Sequence, residues 1–345
     1  MKSVFITAHG GNDVVTVGER PHPTRGPGDI LVRMKAATLN RVDLYMRDSG
    51  AGITHSLPQI MGVDGAGVVE QADASETLCP AGTEVVLHPG LSCGRCEFCQ
   101  RGETVLCTSA RCLGEHRDGT LAQYVCLPAR NVFPKPGSLD FAQAAALGVN
   151  YLTAWRMLFT KARIQPWETV LIFGIGGGVS LAALQLSKLT GCRVIVTSRD
   201  DAKLQRALAM GADHAINGTT QDVVKQVMAA TGRRGVDVVI ENVGQAVWSD
   251  ALKSLVRGGR IVTCGATTGD QPPADIRRVF IRQLQILGST LGDLDEFRHL
   301  LDFVERHGLK PVIHSRHSLD DIHAALDELD AGRQFGKVAI DIDPH

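Results

Sequence analysis

The pattern of hydrophobic and polar positions changes near residue 150. Before it, short apolar runs alternate with Gly and Pro turns: Ile30-Leu31-Val32-Arg33-Met34, Val68-Val69, Val85-Val86-Leu87 and Tyr124-Val125-Cys126-Leu127. Runs this short, bounded by turn residues, predict a β-rich, barrel-like domain. After it, strand and helix patterns alternate. Val170-Leu171-Ile172-Phe173 reads as a strand, and Val179, Ala182, Ala183, Leu186 and Leu189 recur at helical spacing until Gly191. Val194–Thr197 is the next strand, followed by helices near 201–210 and 220–230 and a strand at Val236–Ile240. A helix near 246–257 is expected to stop at Gly258-Gly259, with strands at Arg260–Thr263 and Gln285–Gly288 beyond it. Strands that alternate with helices predict a parallel, doubly wound α/β sheet. Two amphipathic helices and a short strand, Lys337–Ile340, end the chain and are expected to rejoin the first domain.

A chain of 345 residues is long for one core, which agrees with two domains. A net charge of −1 argues against a nucleic-acid or anionic-membrane partner. The N-terminus turns polar too soon for a signal peptide, and the apolar stretch from Val170 to Leu189 is broken by glycines. The expected compartment is the cytoplasm. Nine cysteines, an odd number with one tight cluster, do not suit a secreted disulfide framework.

That cluster, Cys93, Cys96, Cys99 and Cys107, has the spacing C-x₂-C-x₂-C-x₇-C. Four thiolates on one short lobe suit a closed tetrahedral zinc, structural because no position is left for water or substrate. An iron–sulfur cluster is the other reading, and Cys112 an alternative to Cys107. The turn Gly174-Ile175-Gly176-Gly177-Gly178-Val179-Ser180 sits between a predicted strand and helix. Its glycines admit a pyrophosphate to the backbone, and the helix start offers free N–H groups, so a dinucleotide is expected there. Val179 or Ser180 stands where the third glycine of the fingerprint is usual. At the end of the second strand an NAD site would carry Asp or Glu on the ribose. Ser198-Arg199 is found instead, with Lys203 one helical turn on; such groups suit a 2′-phosphate, so NADP(H) is expected.

Several segments together resemble the medium-chain dehydrogenase/reductase superfamily, zinc-containing alcohol dehydrogenases and quinone oxidoreductases. They are Ala36–Asp43, Met61–Val69, the cysteine lobe, the glycine turn, Gly119–Val125 and Gly258–Gly265. The resemblance implies a GroES-like catalytic domain over 1–149 and 293–345, with its zinc lobe at about 90–112. It also implies a Rossmann domain over 150–292 and a homodimer or homotetramer. By the same resemblance Thr153, Asn242, Gly244, Gly265, Ala266, Thr267 and Lys337 join Gly174, Gly176, Gly177, Gly178, Val179, Ser198, Arg199 and Lys203 as cofactor contacts.

The catalytic-zinc pattern of that family is altered. Asn40 stands where such relatives have a cysteine, Gly62-Val63-Asp64 where they have Gly-His-Glu, and Val149 where they have a further cysteine. Valine cannot bind a metal and Asn binds zinc poorly, so no catalytic zinc is expected. Without a Lewis acid an alkoxide lacks its usual stabilisation, whereas hydride addition to a conjugated carbonyl spreads charge into an enolate. The expected reaction is reduction of a small-molecule enone or quinone by NADPH. Asn40 is the candidate carbonyl or ribose contact and Tyr45 the candidate proton donor or oxyanion partner. Arg41 is a possible substrate or cofactor contact, Asp43 an orienting residue, and His116 a loop residue that could approach substrate. Two rival functions stay open. One is an alcohol or aldehyde dehydrogenase with its metal on Asp64, His55 or His116; the other is an NADPH-binding regulatory protein with little turnover.

Overall fold

The computed structural model describes residues 1–343. The chain divides into two compact units, Met1–Leu152 with the segment from Leu291 onward, and Thr153–Thr290. No helix among the described residues is long and apolar enough to cross a membrane.

The second unit is built on a six-stranded parallel sheet. Its spatial order is His214–Asn217, Arg193–Ser198, Thr169–Ile172, Val236–Glu241, Leu255–Thr263, Gln285–Gly288. Numbered along the chain this is 3-2-1-4-5-6, the doubly wound order, in which the chain reverses direction beside the first strand. The central strands are apolar on both faces because helices cover both: Leu171 lies level with Ile195 and Val239, all three fully buried. Helix Gly178–Thr190 ends at Gly191, whose φ of +99° suits a residue without Cβ.

One expectation needs correction here, and two elements were not foreseen. The helix predicted to reach 257 ends at Ser254, and Gly258-Gly259 lie inside the strand Leu255–Thr263, where a register shift against Val236–Val238 accommodates them. Leu255 is fully buried on the strand, so tertiary packing overrides the glycine stop. The edge strand His214–Asn217 and the helix Ile276–Arg282 escaped the hydrophobic pattern because neither has a fully apolar face.

In the first unit Asp29–Thr38 is the hub of a seven-stranded sheet, paired antiparallel with Asp64–Gln71, Tyr124–Pro128 and Lys337–Asp341. Lys337–Asp341 in turn pairs parallel with Ile313–Ser318, a strand not foreseen because His314, Ser315, Arg316 and His317 offer no apolar alternation. Helix Ile322–Asp330 buries Ile322, Ala325, Leu326 and Leu329, one helical face, in a core with Val4, Ile6, Leu39, Leu44 and Ile340. One motif glycine has a plain steric reason. A Cβ on Gly119 would lie 2.2 Å from the Gly62 carbonyl oxygen and 2.5 Å from that of Met61. Segments 61–62 and 119–121 can run hydrogen-bonded side by side only with glycine there.

Candidate functional site

The four predicted cysteines converge. The sulfurs of Cys93, Cys96, Cys99 and Cys107 all lie within 4.8 Å of one another. Cys93 Sγ is 3.9 Å from Cys99 Sγ, and Cys96 Sγ is 3.5 Å from it. A zinc tetrahedron with Zn–S of about 2.3 Å needs edges of about 3.8 Å. Backbone N–H groups already point at the sulfurs: Cys96 donates to Cys93 Sγ, and Cys93 and Ser109 both donate to Cys107 Sγ. Such amides favour thiolate, and those of Cys99 and Thr108 bring the Cys96 thiol down to about 6. The lobe fits zinc through these four residues. Cys112 lies outside the group, and among the described residues no other set of three or more His, Cys, Asp or Glu ligand atoms is close enough to share an ion.

In the second unit, parallel pairing brings every predicted cofactor loop to the same, C-terminal edge of the sheet. Gly174 has φ +68°, and a Cβ there would touch Val243 at 3.0 Å. Gly176 has φ +116°, and Gly177 caps the helix that begins at Gly178, so Val179 lies in its first turn with the free N–H groups. Ser180 is buried and donates to the Phe173 carbonyl at 2.9 Å, so a hydroxyl fills the place of the third glycine. Asn242 Nδ2 donates to Ser180 Oγ at 3.2 Å. Gly244 (φ +94°) and Gly265 lie against the opposite loop: a Cβ on the first would be 2.9 Å from Ala266 Cα, and on the second 3.0 Å from the Asn242 carbonyl. Thr267 Oγ1 donates to that carbonyl at 3.4 Å. Thr153 is buried. Sequence reasoning missed Glu241, fully buried at the end of its strand. Its Oε1 accepts from the amides of Val243 and Gly244 (2.5 and 2.6 Å), and its Oε2 from Thr263 Oγ1 at 3.0 Å. It clamps the turn that carries Asn242.

At the end of the strand Arg193–Ser198, Ser198 Oγ accepts from Asp200 N–H at 3.1 Å. Asp200 is itself taken up as the cap of helix Asp201–Ala209, accepting from Ala202 and Lys203 amides. The Lys203 ammonium is held below its usual range by burial first; attraction to Asp200 opposes this, and repulsion from Arg199 and Arg206 adds to it. Arg199, Lys203 and Arg206 therefore stand close to one another, beside a carboxylate that caps the helix through its Oδ1.

The first unit holds a buried polar cluster. Lys337 Nζ donates to Asn40 Oδ1 at 2.5 Å, Asn150 Oδ1 at 2.8 Å and Asp64 Oδ2 at 3.3 Å. Lys337 is 3% exposed, Asn40 4% and Asp64 0%. Asp64 Oδ2 also accepts from Thr38 Oγ1 and from Asn40 Nδ2, each at 2.8 Å. An ammonium has three donors, and all three of Lys337's are used within the cluster. Asn40 Nδ2 spends its hydrogens on Asp64 and on the Thr38 carbonyl at 3.2 Å. Val63, fully buried, and Val149 present only hydrocarbon.

Asp43 Oδ2 accepts the Asn40 N–H at 2.7 Å at the start of helix Arg41–Asp48. Burial, with repulsion from Asp64, pushes its carboxyl up to about 7 against the lowering effect of that N–H. In this buried group the folded state keeps a proton that the unfolded chain, near 3.8, has lost. The stabilisation is full below about pH 3.8 and disappears as the pH rises to about 7. Asp43→Asn keeps an oxygen for the Asn40 N–H but has no proton to lose. The melting temperature of wild type minus that of D43N is expected to fall steadily across this range; parallel melting curves would refute the assignment.

The other predicted residues have partners of their own. Arg41 pairs with Asp330 at 3.6 Å on a solvent-exposed flank. Tyr45, on the same helix, is 39% exposed while its neighbours Leu44 and Met46 are buried. His116 Nδ1 accepts from the Cys112 N–H at 3.1 Å, which shapes its loop. His55 Nδ1 faces His9 Nε2 at 3.3 Å.

Comparison with known proteins agrees with this geometry. Residues 26–137 match the family described as alcohol dehydrogenase GroES-like domain, and residues 178–306 the family described as zinc-binding dehydrogenase. The chain is 29% identical over 329 residues to an NAD-dependent alcohol dehydrogenase of Saccharolobus solfataricus, covering 92% of this chain and 93% of that one. A crystal structure of an NAD-dependent alcohol dehydrogenase is 42% identical, covers 99% of this chain and all of its own, and superposes with a TM-score of 0.96. The cobalt- and zinc-bound thermostable alcohol dehydrogenase of Pyrobaculum aerophilum is 32% identical, with 99% of each chain covered and a TM-score of 0.89. Sequence motifs, sheet order and whole-chain likeness converge: the chain belongs to the medium-chain dehydrogenase/reductase superfamily and is an oxidoreductase of that family.

Proposed function

We propose that the protein uses NADPH to reduce an activated C=C bond or a quinone, without a catalytic metal ion. The observation that carries this reading is the donor set around Lys337. Where zinc relatives place ligands, this chain has an amide whose hydrogens are spent, two isopropyl groups, and an ammonium bonded to the amide at 2.5 Å. Such a set does not fit a zinc ion, and no step is routed through one. When bound, the dinucleotide supplies hydride from C4 of its reduced nicotinamide. The substrate's β-carbon accepts it, the C=C electron pair moves toward the carbonyl oxygen, and a proton from water completes the α-carbon. This chain's part is to bind, orient and stabilise the developing enolate.

Ser198, Arg199 and Lys203 support NADPH over NADH. Replacing Ser198 by Asp together with Arg199→Ala should move the NADPH:NADH ratio of kcat/KM toward NADH by roughly tenfold to a hundredfold, the worth of one charged hydrogen bond. An unchanged ratio would remove the 2′-phosphate assignment. A second reading, an NAD-dependent alcohol dehydrogenase, draws on the activities for which the relatives are named. A panel of enones, quinones, aldehydes and alcohols with both cofactors separates the two. So does metal content, since about one zinc per chain is expected here and two on the alternative.

The protein acts in this reading as a homodimer through the outer strand Gln285–Gly288. That strand ends the six-stranded sheet, and it and the preceding helix Ile276–Arg282 carry exposed apolar side chains, Ile286 at 42%, Ile276 at 71% and Phe280 at 66%. Ile286→Lys with Phe280→Glu is expected to halve the mass by light scattering; an unaltered mass would exclude this edge.

A further inference from the structure

Resting on the reaction proposed above, we infer that Asn150 is a catalytic residue. Its side-chain N–H donates to the substrate oxygen on which charge develops, and Lys337 is the positioning residue that orients and polarises it. The orientation of this amide follows from chemistry. An ammonium only donates, so the Asn150 atom 2.8 Å from Lys337 Nζ is the oxygen, and Nδ2 faces away from the cluster. Unlike Asn40, whose hydrogens are consumed, Asn150 Nδ2 has no hydrogen-bond partner among the described residues. It is also not among the buried unpartnered atoms, so solvent reaches it. One end of the amide is therefore fixed on a buried cation and the other is free to serve a ligand.

Two further features agree. Asn150 lies within a π-helical turn, Leu147–Tyr151, and the inserted residue of such a turn changes where its side chain is aimed. It also follows Val149, the position at which zinc relatives carry a ligand. The charge reaches the donor through the amide. Lys337 is 3% exposed, so little water screens its pull on Oδ1, and withdrawal of density there makes the Nδ2 hydrogens stronger donors. As hydride adds to the β-carbon and the C=C pair moves onto the carbonyl, the oxygen becomes enolate and this hydrogen bond strengthens. Water then protonates the α-carbon, and NADPH leaves as NADP⁺. An amide donor backed by a fixed cation supplies the electrophilic assistance for which zinc relatives use a metal.

The test uses Asn150→Asp, which keeps an oxygen toward Lys337 but has no N–H, and Asn150→Ala. Both should lower kcat by about 10²–10³, the usual cost of one oxyanion donor, with NADPH affinity near wild type. Asn150→Asp keeps the Lys337 contact and should melt near wild type, whereas Asn150→Ala strips an acceptor from the buried ammonium and should melt lower. A readout independent of turnover is 4-nitrophenol, titrated with the NADP⁺ complex and followed by its phenolate absorbance. The wild type should bind the phenolate at least about tenfold more tightly than either variant. If the wild type reduces neither enones nor quinones but still shows this difference, the substrate reading fails and the donor assignment stands. Variants with kcat within about threefold of wild type and equal phenolate binding would overturn Asn150's role.

Discussion

Lys337→Met is expected to destabilise the protein by about 3–5 kcal/mol, because it strands Asp64 as an uncompensated buried charge. Asp64 is fully buried, and its Oδ1 already lacks a hydrogen-bond partner. Its Oδ2 would keep Thr38 and Asn40 but lose the only cation of the cluster. Burial holds the Lys337 ammonium below its usual range, and attraction to Asp64 and Asp43 opposes this, so each charge is tolerated on account of the other. Adding Asp64→Asn to K337M should therefore restore a large part of the loss, since the second change removes the stranded charge. Urea unfolding of the two single variants and the double would measure the coupling. Strictly additive losses would show that the pair does not act as a unit.

The parts of this protein legible in its sequence are those whose chemistry lies within a few residues. The cysteine spacing and the glycine turn each identify a local structure, and both form where expected. The doubly wound sheet was readable because central strands such as Val170–Ile172 are buried on both faces and their helices have one apolar side. The place of Lys337 in the buried cluster was not legible, for the opposite reason. It meets Asn40 across 297 residues and Asn150 across 187, and a buried lysine looks in sequence like any surface lysine. Asn150 escaped notice because attention to metal ligands stops at Val149, and no composition signal marks a π-turn. Glu241 ends an apolar strand where a carboxylate suggests solvent, yet three donors in the fold bury it. Ile313–Ser318 reads as loop because its strand character comes from pairing with Lys337–Asp341 rather than from its own side chains.

Removing zinc, or replacing one ligand as in Cys99→Ser, should open the cysteine lobe while cofactor binding persists. The lobe has almost no core of its own. It consists of two short helical turns, Glu97–Gln100 and Thr104–Leu106, and the two-residue strand Arg111–Cys112. Of its four ligands only Cys107 is buried, and Leu106 is 48% exposed. Apolar burial cannot order such a segment, whereas structural zinc contributes on the order of 10 kcal/mol in isolated zinc-binding peptides. Without the ion, four sulfurs at close range would rest on a few N–H···S bonds. The Cys96 thiolate, its thiol held down to about 6, would then lack a cation, while Cys99, pushed up to about 11, would stay a thiol beside it. Trypsin should then cut after the exposed Arg95 and Arg101, and mass spectrometry would locate both sites. The glycine turn and the loops at Asn242 and Gly265 belong to a sheet that contains no residue of the lobe, so nicotinamide fluorescence should still report NADPH binding. A metal-free protein as resistant to trypsin as the loaded one would show that the lobe folds without zinc. The four sulfurs would then need another explanation for their convergence.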